Sequence, residues 1–195
     1  MNPKILEIDG WMHPIELEWL YNTAQRIPKG SLIVEVGAWK GRSSAALYEG
    51  AGKEKTVISI DTWQGQDDLP DHKEALEKDI FKIFLFNMRN LGFDPQPYRP
   101  GQLGPQYLIM DAIEASTLFR DQSVDWLFDD GDHRMCGTDI DVWYPKMKPD
   151  GLYSGHDYFC FYETIQQEIH KRFYIHQIVY SIWVRYVGQH KPDYL

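Results

Sequence analysis

The sequence contains few cysteines and no long hydrophobic run. Its two cysteines, Cys136 and Cys160, are too far apart to form a CxxC pair, and we expect two reduced thiols near the core rather than a disulfide framework. No stretch approaches the roughly 20 apolar residues that a membrane span requires. The charged first ten residues do not match a secretory signal peptide. These absences favour a cytoplasmic protein that does not bind membranes.

Positive charge is also scarce. Lys and Arg together number 20 against 29 Asp and Glu, which gives a formal net charge of -9 at pH 7. Because nucleic-acid binding needs a surplus of positive side chains on one face, this balance argues against a nucleic-acid partner. Small molecules, sugars and cations stay open as ligands. A length of 195 residues suits one domain better than two, so we predict a single domain over 1–195.

Short apolar runs alternate with helical patterns along the chain. Strands are predicted at 31–36, 56–60, 107–110, 124–128 and 152–155, followed by a hairpin over 176–181 and 182–187. Helices are predicted at 14–27, about 41–50, 71–91, 112–120, about 137–146 and about 161–172. This alternation predicts a Rossmann-like α/β fold: a seven-stranded, mostly parallel sheet with helices on both faces and a C-terminal antiparallel hairpin.

A proline-rich segment interrupts the alternation. Residues 93–106 contain four prolines and two glycines, a composition that excludes helix and central strand. Long ordered loops often carry function, and a solvated connector is an equally supported interpretation.

The turn after the first strand has the composition of a ligand-binding turn. Gly37 permits a tight turn and the close approach of a ligand, and Gly41 lets the next helix begin close to the strand. Ser43 and Ser44 place hydroxyls beside the free N–H groups of that helix, which favours a carboxylate or phosphate. Glycines at such turns are often only architectural, and the spacing lacks the middle glycine of the dinucleotide fingerprint.

Acidic residues close the next strands. Asp61 follows the second strand and is placed to accept hydrogen bonds from both hydroxyls of a ribose. Trp63 suits an adenine face or the core equally. Asp111 suits an exocyclic amine or the cap of the following helix equally. Because ligands of such sheets bind outside the carboxyl ends of the strands, we expect an adenosine-like ligand at this edge.

The fourth and fifth strands end in a denser acidic cluster. Asp129, Asp130 and Asp132 fall within four positions, and Asp157 follows the neighbouring strand. Clustered carboxylates repel one another unless a positive group lies among them, and a divalent cation meets that need. Helix capping explains Asp129 or Asp132 better than Asp130 and Asp157 together. His133 is positioned to remove a proton from a substrate hydroxyl, or serves as a structural histidine.

Taken together, these segments resemble the class I S-adenosylmethionine-dependent methyltransferases, and more narrowly the small-molecule branch that includes the macrolide-sugar O-methyltransferases. The resemblance covers roughly residues 14–187. It is carried by VEVGAWKGRSS (34–44), VISIDTW (57–63), DWLFDDGDH (125–133) and KPDGLYSGHDY (148–158). The last two segments are considerably more specific than the glycine turn. The resemblance implies S-adenosylmethionine as cofactor and a hydroxyl of a small molecule or sugar as methyl acceptor.

The resemblance also implies roles for individual residues. Positions that contact the cofactor fall on Glu35, Gly37, Ser43, Asp61 and Asp111. We expect further cofactor contacts from the neighbouring Ala38, Gly41, Trp63 and Ala112. Metal-binding positions fall on Asp130, His156 and Asp157, and the general base falls on His133. In the metal-dependent sugar enzymes the residue before the last aspartate is usually acidic, whereas here it is His156. Since histidine matches Mg²⁺ less well than a carboxylate does, the resemblance does not decide between Mg²⁺ and another divalent cation.

Two other functions fit part of the pattern. The first turn and Asp61 suit any adenosine ligand, which makes an NAD(P)-dependent oxidoreductase an alternative that the missing glycine and the closing hairpin oppose. A methyltransferase-like binding protein without activity is the second alternative, which the presence of Asp130 and His133 opposes. Acceptor selection is expected in the N-terminal segment, the loops 64–72 and 93–106, and the region after the last aspartate. The sequence identifies neither the methyl acceptor nor whether the protein forms a homo-oligomer.

Overall fold

One sheet organises the part of the chain that the computed structural model describes, residues 1–65, 70–160, 162–188 and 190–195. Within these ranges eight strands pair. They are β1 (Leu32–Val36), β2 (Thr56–Asp61), β3 (Gln96–Pro97), β4 (Gly104–Ile109), β5 (Val124–Asp129), β6 (Met147–Gly155), β7 (Gln177–Val179) and β8 (Ile182–Tyr186).

The strand order places the first strand near the centre of the sheet. The order is β3-β4-β2-β1-β5-β6-β8-β7. The pairs from β3 to β6 are parallel, whereas β8 runs antiparallel to both β6 and β7. This arrangement confirms the predicted Rossmann-like sheet with its C-terminal hairpin. Because parallel strands share a direction, the carboxyl ends of β1, β2, β4, β5 and β6 meet at one edge.

The strand beyond the predicted seven comes from the proline-rich segment. Residues 96–97 pair with β4 at the edge of the sheet, where a strand with a proline is tolerated. β4 begins at Gly104, three residues before the predicted start, and it contains Pro105. Pairing of β4 with β3 begins only at Gln106, so the missing N–H of Pro105 interrupts no bond to that neighbour. The exclusion of a central strand from 93–106 is therefore wrong at the end of the segment, where β4 begins, whereas the edge strand β3 does not contradict it.

The fifth predicted strand and several helices also differ in their bounds. β6 begins at Met147 instead of Leu152, and its pairing with β5 shifts register between Val124 and Trp126. The helix predicted over 112–120 ends at Ser116. The seven α-helices in the described ranges are α1 (Pro14–Arg26), α2 (Arg42–Ala51), α3 (Pro70–Glu77), α4 (Ile80–Asn90), α5 (Ala112–Ser116), α6 (Cys136–Trp143) and α7 (Gln167–Arg172).

Local capping explains where two long predicted helices divide. The pattern over 71–91 forms α3 and α4 as separate helices because the Asp79 carboxylate accepts the Lys82 N–H and starts a new one. The helix predicted over 161–172 consists of a π-helical turn, Tyr162–Gln166, followed by α7, and residue 161 lies outside the described ranges. None of the helices in those ranges is long and apolar enough to cross a membrane.

The sheet separates two apolar cores. Alternate residues of β5 serve opposite faces: Trp126 and Phe128 pack in the core beneath α1, α2 and α4, and Leu127 packs in the core beneath α5, α6 and α7. Both cysteines are free thiols; Cys136 is buried in the second core and Cys160 is exposed. Since helices cover both faces of the sheet, we look for polar functional side chains at its carboxyl edge.

Candidate functional site

A cleft of about 850 Å³ lies at the carboxyl edge of the sheet. Its walls come from the turns after β1, β2, β4, β5 and β6, and the N-terminal segment and the β7–β8 turn contribute its rim. The volume lies in the range of pockets that enclose small molecules. The cleft therefore occupies the edge at which the sequence predicts a ligand.

The first turn is fixed by a close approach of two backbone segments. Gly37 has φ +85°, and a Cβ added there would lie 2.0 Å from the carbonyl oxygen of Asp130. The Gly37 N–H donates to the Ile60 carbonyl and the Asp130 N–H donates to the Val36 carbonyl, both at 2.9 Å. Gly37 and Ala38 line the cleft. The turn after β5 thus requires a glycine at 37, and the contact of Gly37 with a ligand stays a prediction.

Glu35 lies beneath this turn and does not reach the cleft. Its side chain is 0% exposed and accepts hydrogen bonds from the hydroxyls of Ser43, Ser44 and Ser59 at 2.6, 2.5 and 2.6 Å. Burial raises the pKa of Glu35 to about 7, although the three hydroxyls lower it. Glu35 therefore joins β1 to β2 and to the start of α2, and its contact with the cofactor stays a prediction. Ser43 lines the cleft while its hydroxyl donates to Glu35.

Gly41 and Trp63 lie against α4. A Cβ on Gly41 would lie 2.5 Å from the Met88 side chain and 2.9 Å from Phe84. The Trp63 ring is 5% exposed, and its centroid lies 4.8 Å from Phe81 and 5.1 Å from Phe84. Both residues therefore pack against the apolar face of α4, and their contacts with the cofactor stay predictions.

Asp61 connects the turns after β1 and β2. Its carboxylate accepts the Trp39 N–H at 2.7 Å and the Trp63 N–H at 2.6 Å. Burial raises the pKa of Asp61, and the backbone N–H donors lower it. Asp61 also lines the cleft. Since each carboxylate oxygen has two lone pairs, this group can hold the turns and still accept hydrogen bonds from ligand hydroxyls.

Asp111 has the capping role that the sequence left open. Its Oδ1 accepts the N–H groups of Ile113 at 2.9 Å and Glu114 at 3.4 Å, at the start of α5. Asp111 and Ala112 also line the cleft. The contact between Asp111 and an exocyclic amine stays a prediction.

His133 and Asp157 form a pair on the cleft wall. His133 Nε2 lies 2.5 Å from Asp157 Oδ2, and both residues line the cleft. Burial lowers the pKa of His133, but its hydrogen bond to Asp157 and the nearby acidic charges outweigh burial and raise it overall. Asp157 has φ +57°, a left-handed conformation that is strained for aspartate. The strained backbone brings the carboxylate to the histidine.

His156 lies among three carboxylates. Its Nδ1 is 3.2 Å from Asp157 Oδ1 and 3.5 Å from Asp130 Oδ1, and its Nε2 is 3.0 Å from Glu16 Oε1. His156 is 7% exposed. Burial opposes the charged imidazolium, but the three acidic neighbours raise the pKa of His156 well above its ordinary value. A positive group therefore lies among the carboxylates, as their crowding requires.

The same atoms also fit a metal ion. Asp130, His156 and Asp157 each offer one ligand atom, and these atoms lie within 4.8 Å of one another. In a metal-bound state His156 would be neutral and would ligate through Nδ1. Its Nε2–H would then face Glu16, the usual arrangement of a metal-bound histidine and its carboxylate partner. The donor set therefore fits the predicted metal position.

Several residues of the cleft carry no sequence signal. Glu16 belongs to a capping box at the start of α1, and this pattern predicts a cap but not its contact with His156. At the rim, Trp11 is 73% exposed, and Tyr180 stacks on His13 with ring centroids 4.4 Å apart. Asp139, on α6, also borders the cleft.

The loops predicted to select the acceptor differ in their placement. In the 64–72 loop, the cleft is lined by Gln64, Gly65, Asp71 and His72, and residues 66–69 lie outside the described ranges. The N-terminal segment and the region after Asp157 also contribute to the lining. The segment 93–106 contributes no described residue to it, because this segment forms the far edge of the sheet.

Comparisons with known proteins agree with this fold. The profile of a family described as "Methyltransferase domain" matches residues 34–158. A search of curated protein sequences finds no match. Among solved structures, the chain is similar to a protein from Corynebacterium glutamicum, with a TM-score of 0.69 and 9% identity over 97% of this chain and 92% of that one.

Two further similar solved structures are named O-methyltransferases. A SAM-dependent O-methyltransferase from Thermotoga maritima has a TM-score of 0.64 and 13% identity over 96% of this chain and 71% of its own. An O-methyltransferase of tomaymycin synthesis from Streptomyces achromogenes, in complex with SAM, has a TM-score of 0.58 and 13% identity over 80% and 66%. At these identities the likeness shows a shared fold.

Proposed function

Because this chain belongs to the methyltransferase-domain family whose profile covers residues 34–158, we propose that it transfers the methyl group of S-adenosylmethionine to a hydroxyl of a small molecule. One observation carries the proposal: a single cleft contains the turn after β1 with Asp61, and also the His133–Asp157 pair. A cofactor site and a proton acceptor thus share one cavity. Solved relatives of this fold that are named O-methyltransferases support the choice of oxygen as acceptor.

The cofactor contacts assigned by this proposal are fewer than the sequence implies. Gly37 and Ala38 form the floor, and Asp61 accepts hydrogen bonds from the ribose hydroxyls. Asp111 and Ala112 lie at the adenine end. Ser43 contributes to the wall, whereas Glu35, Gly41 and Trp63 support the turns from below.

His133 is the proposed general base. The proton of the acceptor hydroxyl moves to the imidazole while the oxygen forms a bond to the methyl carbon. The carbon–sulfur bond breaks, and sulfur leaves as the neutral thioether of S-adenosylhomocysteine. Asp157 orients the ring and stabilises the imidazolium that forms. The remaining task of the site is to align oxygen, carbon and sulfur.

The cleft favours an acceptor without negative charge. Of the lysine and arginine side chains that line it, two pair with carboxylates: Lys40 Nζ lies 2.6 Å from Asp9 and 2.7 Å from Glu74, and Arg134 lies 2.8 Å from Asp132. The third, Arg42, donates to the Ile8 carbonyl at 2.6 Å. The exposed ring of Trp11 at the rim suits a sugar face or an aromatic ring. We therefore place the acceptor among neutral sugars and phenols.

Binding of S-adenosylmethionine is the direct test of this function. We expect calorimetric titration to give a dissociation constant between about 1 µM and 1 mM, the range of ordinary substrates. At about 100 times that constant, the ligand should stabilise the fold by about 2.7 kcal/mol. Thermal stabilisation by NAD but not by S-adenosylmethionine would instead support an oxidoreductase.

A divalent cation is proposed at Asp130, His156 and Asp157. When bound, it would polarise the acceptor hydroxyl and lower the pKa of that hydroxyl. The nitrogen donor of His156 favours Mn²⁺ or Zn²⁺ over Mg²⁺, which prefers oxygen ligands.

This preference is expected to depend on one side chain. In calorimetric titrations the wild type should bind Mn²⁺ more tightly than Mg²⁺, and His156→Asp should narrow the difference because it restores an all-oxygen donor set. Asp132→Asn is the control, since Asp132 pairs with Arg134 outside the donor set. If neither cation binds at millimolar concentration, the imidazolium of His156 supplies the positive charge alone and the metal proposal fails.

A further inference from the structure

α6 places on the cleft wall an acidic side chain that the mechanism above does not use. Asp139 is 2% exposed and borders the cleft. Its Oδ1 is buried and has no hydrogen-bond partner in the part of the chain that the structure describes. A buried polar atom without a partner destabilises a folded protein, so a ligand atom that supplies the missing partner is the simplest reason for such a group.

The surroundings of Asp139 keep it in the neutral form. Burial raises the pKa of Asp139 to about 9, and the charges of Asp129, Asp111 and Asp132 raise it in the same direction. At neutral pH the side chain is therefore a carboxylic acid, with an O–H donor and a carbonyl acceptor side by side. A carboxylate would offer acceptors only.

Asp139 borders the same cleft as Asp111 and Ala112, the residues proposed at the adenine end. α5, which Asp111 caps, packs against α6, and the side chains of Asp111 and Asp139 border the same cleft. Asp111 is the residue expected at the exocyclic amine. Gly131 lies beside the same carboxyl group: a Cβ there would be 3.9 Å from Asp139 Oδ2 and 3.0 Å from the Val36 side chain. The absence of a side chain at Gly131 leaves space next to the carboxyl group.

We propose that Asp139 recognises the adenine ring of the cofactor through a paired hydrogen bond, an inference that rests on the proposed function. Adenine presents an amino donor next to a ring-nitrogen acceptor. A neutral carboxyl group presents an acceptor next to a donor, so the two edges are complementary. The ligand thereby satisfies the buried oxygen that the folded chain leaves unpaired.

The test measures binding of S-adenosylhomocysteine together with the melting temperature of the ligand-free protein. Asp139→Leu keeps the branching at Cγ in a larger side chain and removes both polar atoms, and we expect it to weaken binding by about 10- to 100-fold. Its melting temperature should equal or exceed that of the wild type, because the unpaired oxygen is gone. Asp139→Asn should stay within a few-fold of wild-type affinity, since an amide also offers a donor beside an acceptor.

Asp141→Leu is the matched control. Asp141 lies on the same helix but is exposed and pairs with Arg172 outside the cleft, so its removal should leave binding unchanged. If leucine is not accommodated at 139, Asp139→Ala removes the carboxyl group without added bulk and provides the same comparison.

The outcomes separate the two proposals. Wild-type affinity in Asp139→Leu or Asp139→Ala overturns the role of Asp139 and leaves the methyltransferase function standing. A fall in the melting temperature of the ligand-free Asn and Leu variants, with a matching fall in affinity, assigns Asp139 a structural role and also overturns the inference. Failure of the wild type itself to bind S-adenosylhomocysteine overturns the proposed function, and the inference with it.

Discussion

His133→Ala is expected to lower turnover by about 10²- to 10⁴-fold, the usual contribution of a positioned general base. Its affinity for S-adenosylmethionine should stay nearly unchanged, because the imidazole pairs with Asp157 and is not among the proposed cofactor contacts. The loss should therefore appear in kcat, measured with the acceptor saturating, while calorimetry reports a wild-type dissociation constant for the cofactor.

Two variants sharpen this result. Asp157→Asn keeps the size of the side chain but removes the charge that stabilises the imidazolium, so it should also reduce turnover. His170→Ala is the control: His170 hydrogen-bonds the Tyr158 hydroxyl at 2.9 Å and does not line the cleft, and its removal should change turnover little. Comparable turnover in His133→Ala and the wild type would contradict the role of His133.

The second large effect is expected from Gly37→Ala. The added Cβ would lie 2.0 Å from the carbonyl oxygen of Asp130 and 2.5 Å from its carbonyl carbon, and backbone atoms cannot rotate aside as a side chain does. A left-handed conformation costs a non-glycine residue about 1–2 kcal/mol, and forced overpacking costs about 1–3 kcal/mol more. We expect the free energy of unfolding, measured in urea, to fall by about 2–5 kcal/mol.

Gly92→Ala separates these two causes. Gly92 has the same φ of +85°, but no atom of the described residues lies within 4 Å of an added Cβ. It should therefore lose only the conformational part, about 1–2 kcal/mol. Gly37→Ala should additionally weaken S-adenosylhomocysteine binding, since it displaces the turn that carries Asp130. Equal losses of stability in the two variants, with binding intact, would contradict this explanation. They would mean that the close contact between the turns after β1 and β5 does not require a glycine at position 37.

The sheet was predictable because its signal is local. Each central strand is a short apolar run buried on both faces, and the runs of β2 and β5 end on Asp61 and Asp129 at the carboxyl edge of the sheet. The same locality explains the assignment of Asp61, Asp130, His133 and Asp157 to one edge. Boundaries were less predictable where a cap, such as Asp79, decides them.

Contacts between distant segments could not be predicted. Glu16 and His156 are separated by most of the domain, and no local pattern relates them. Trp63 follows a strand that ends in the cleft, yet its ring turns into the core because α4 presents Phe81 and Phe84 there. The resemblance places Glu35 at a cofactor position but gives no sign of its buried partners, because the sheet register that sets Ser59 opposite Glu35 is a contact between separate segments.

The buried network around Glu35 constrains how this sequence can vary. Replacing Glu35 alone by an apolar residue would leave the hydroxyls of Ser43, Ser44 and Ser59 buried and without their acceptor, whereas replacing all four together would remove donors and acceptor at once. The four positions behave as one unit in three separate elements. A mutant library that changes them singly would reject substitutions that a library changing them jointly accepts.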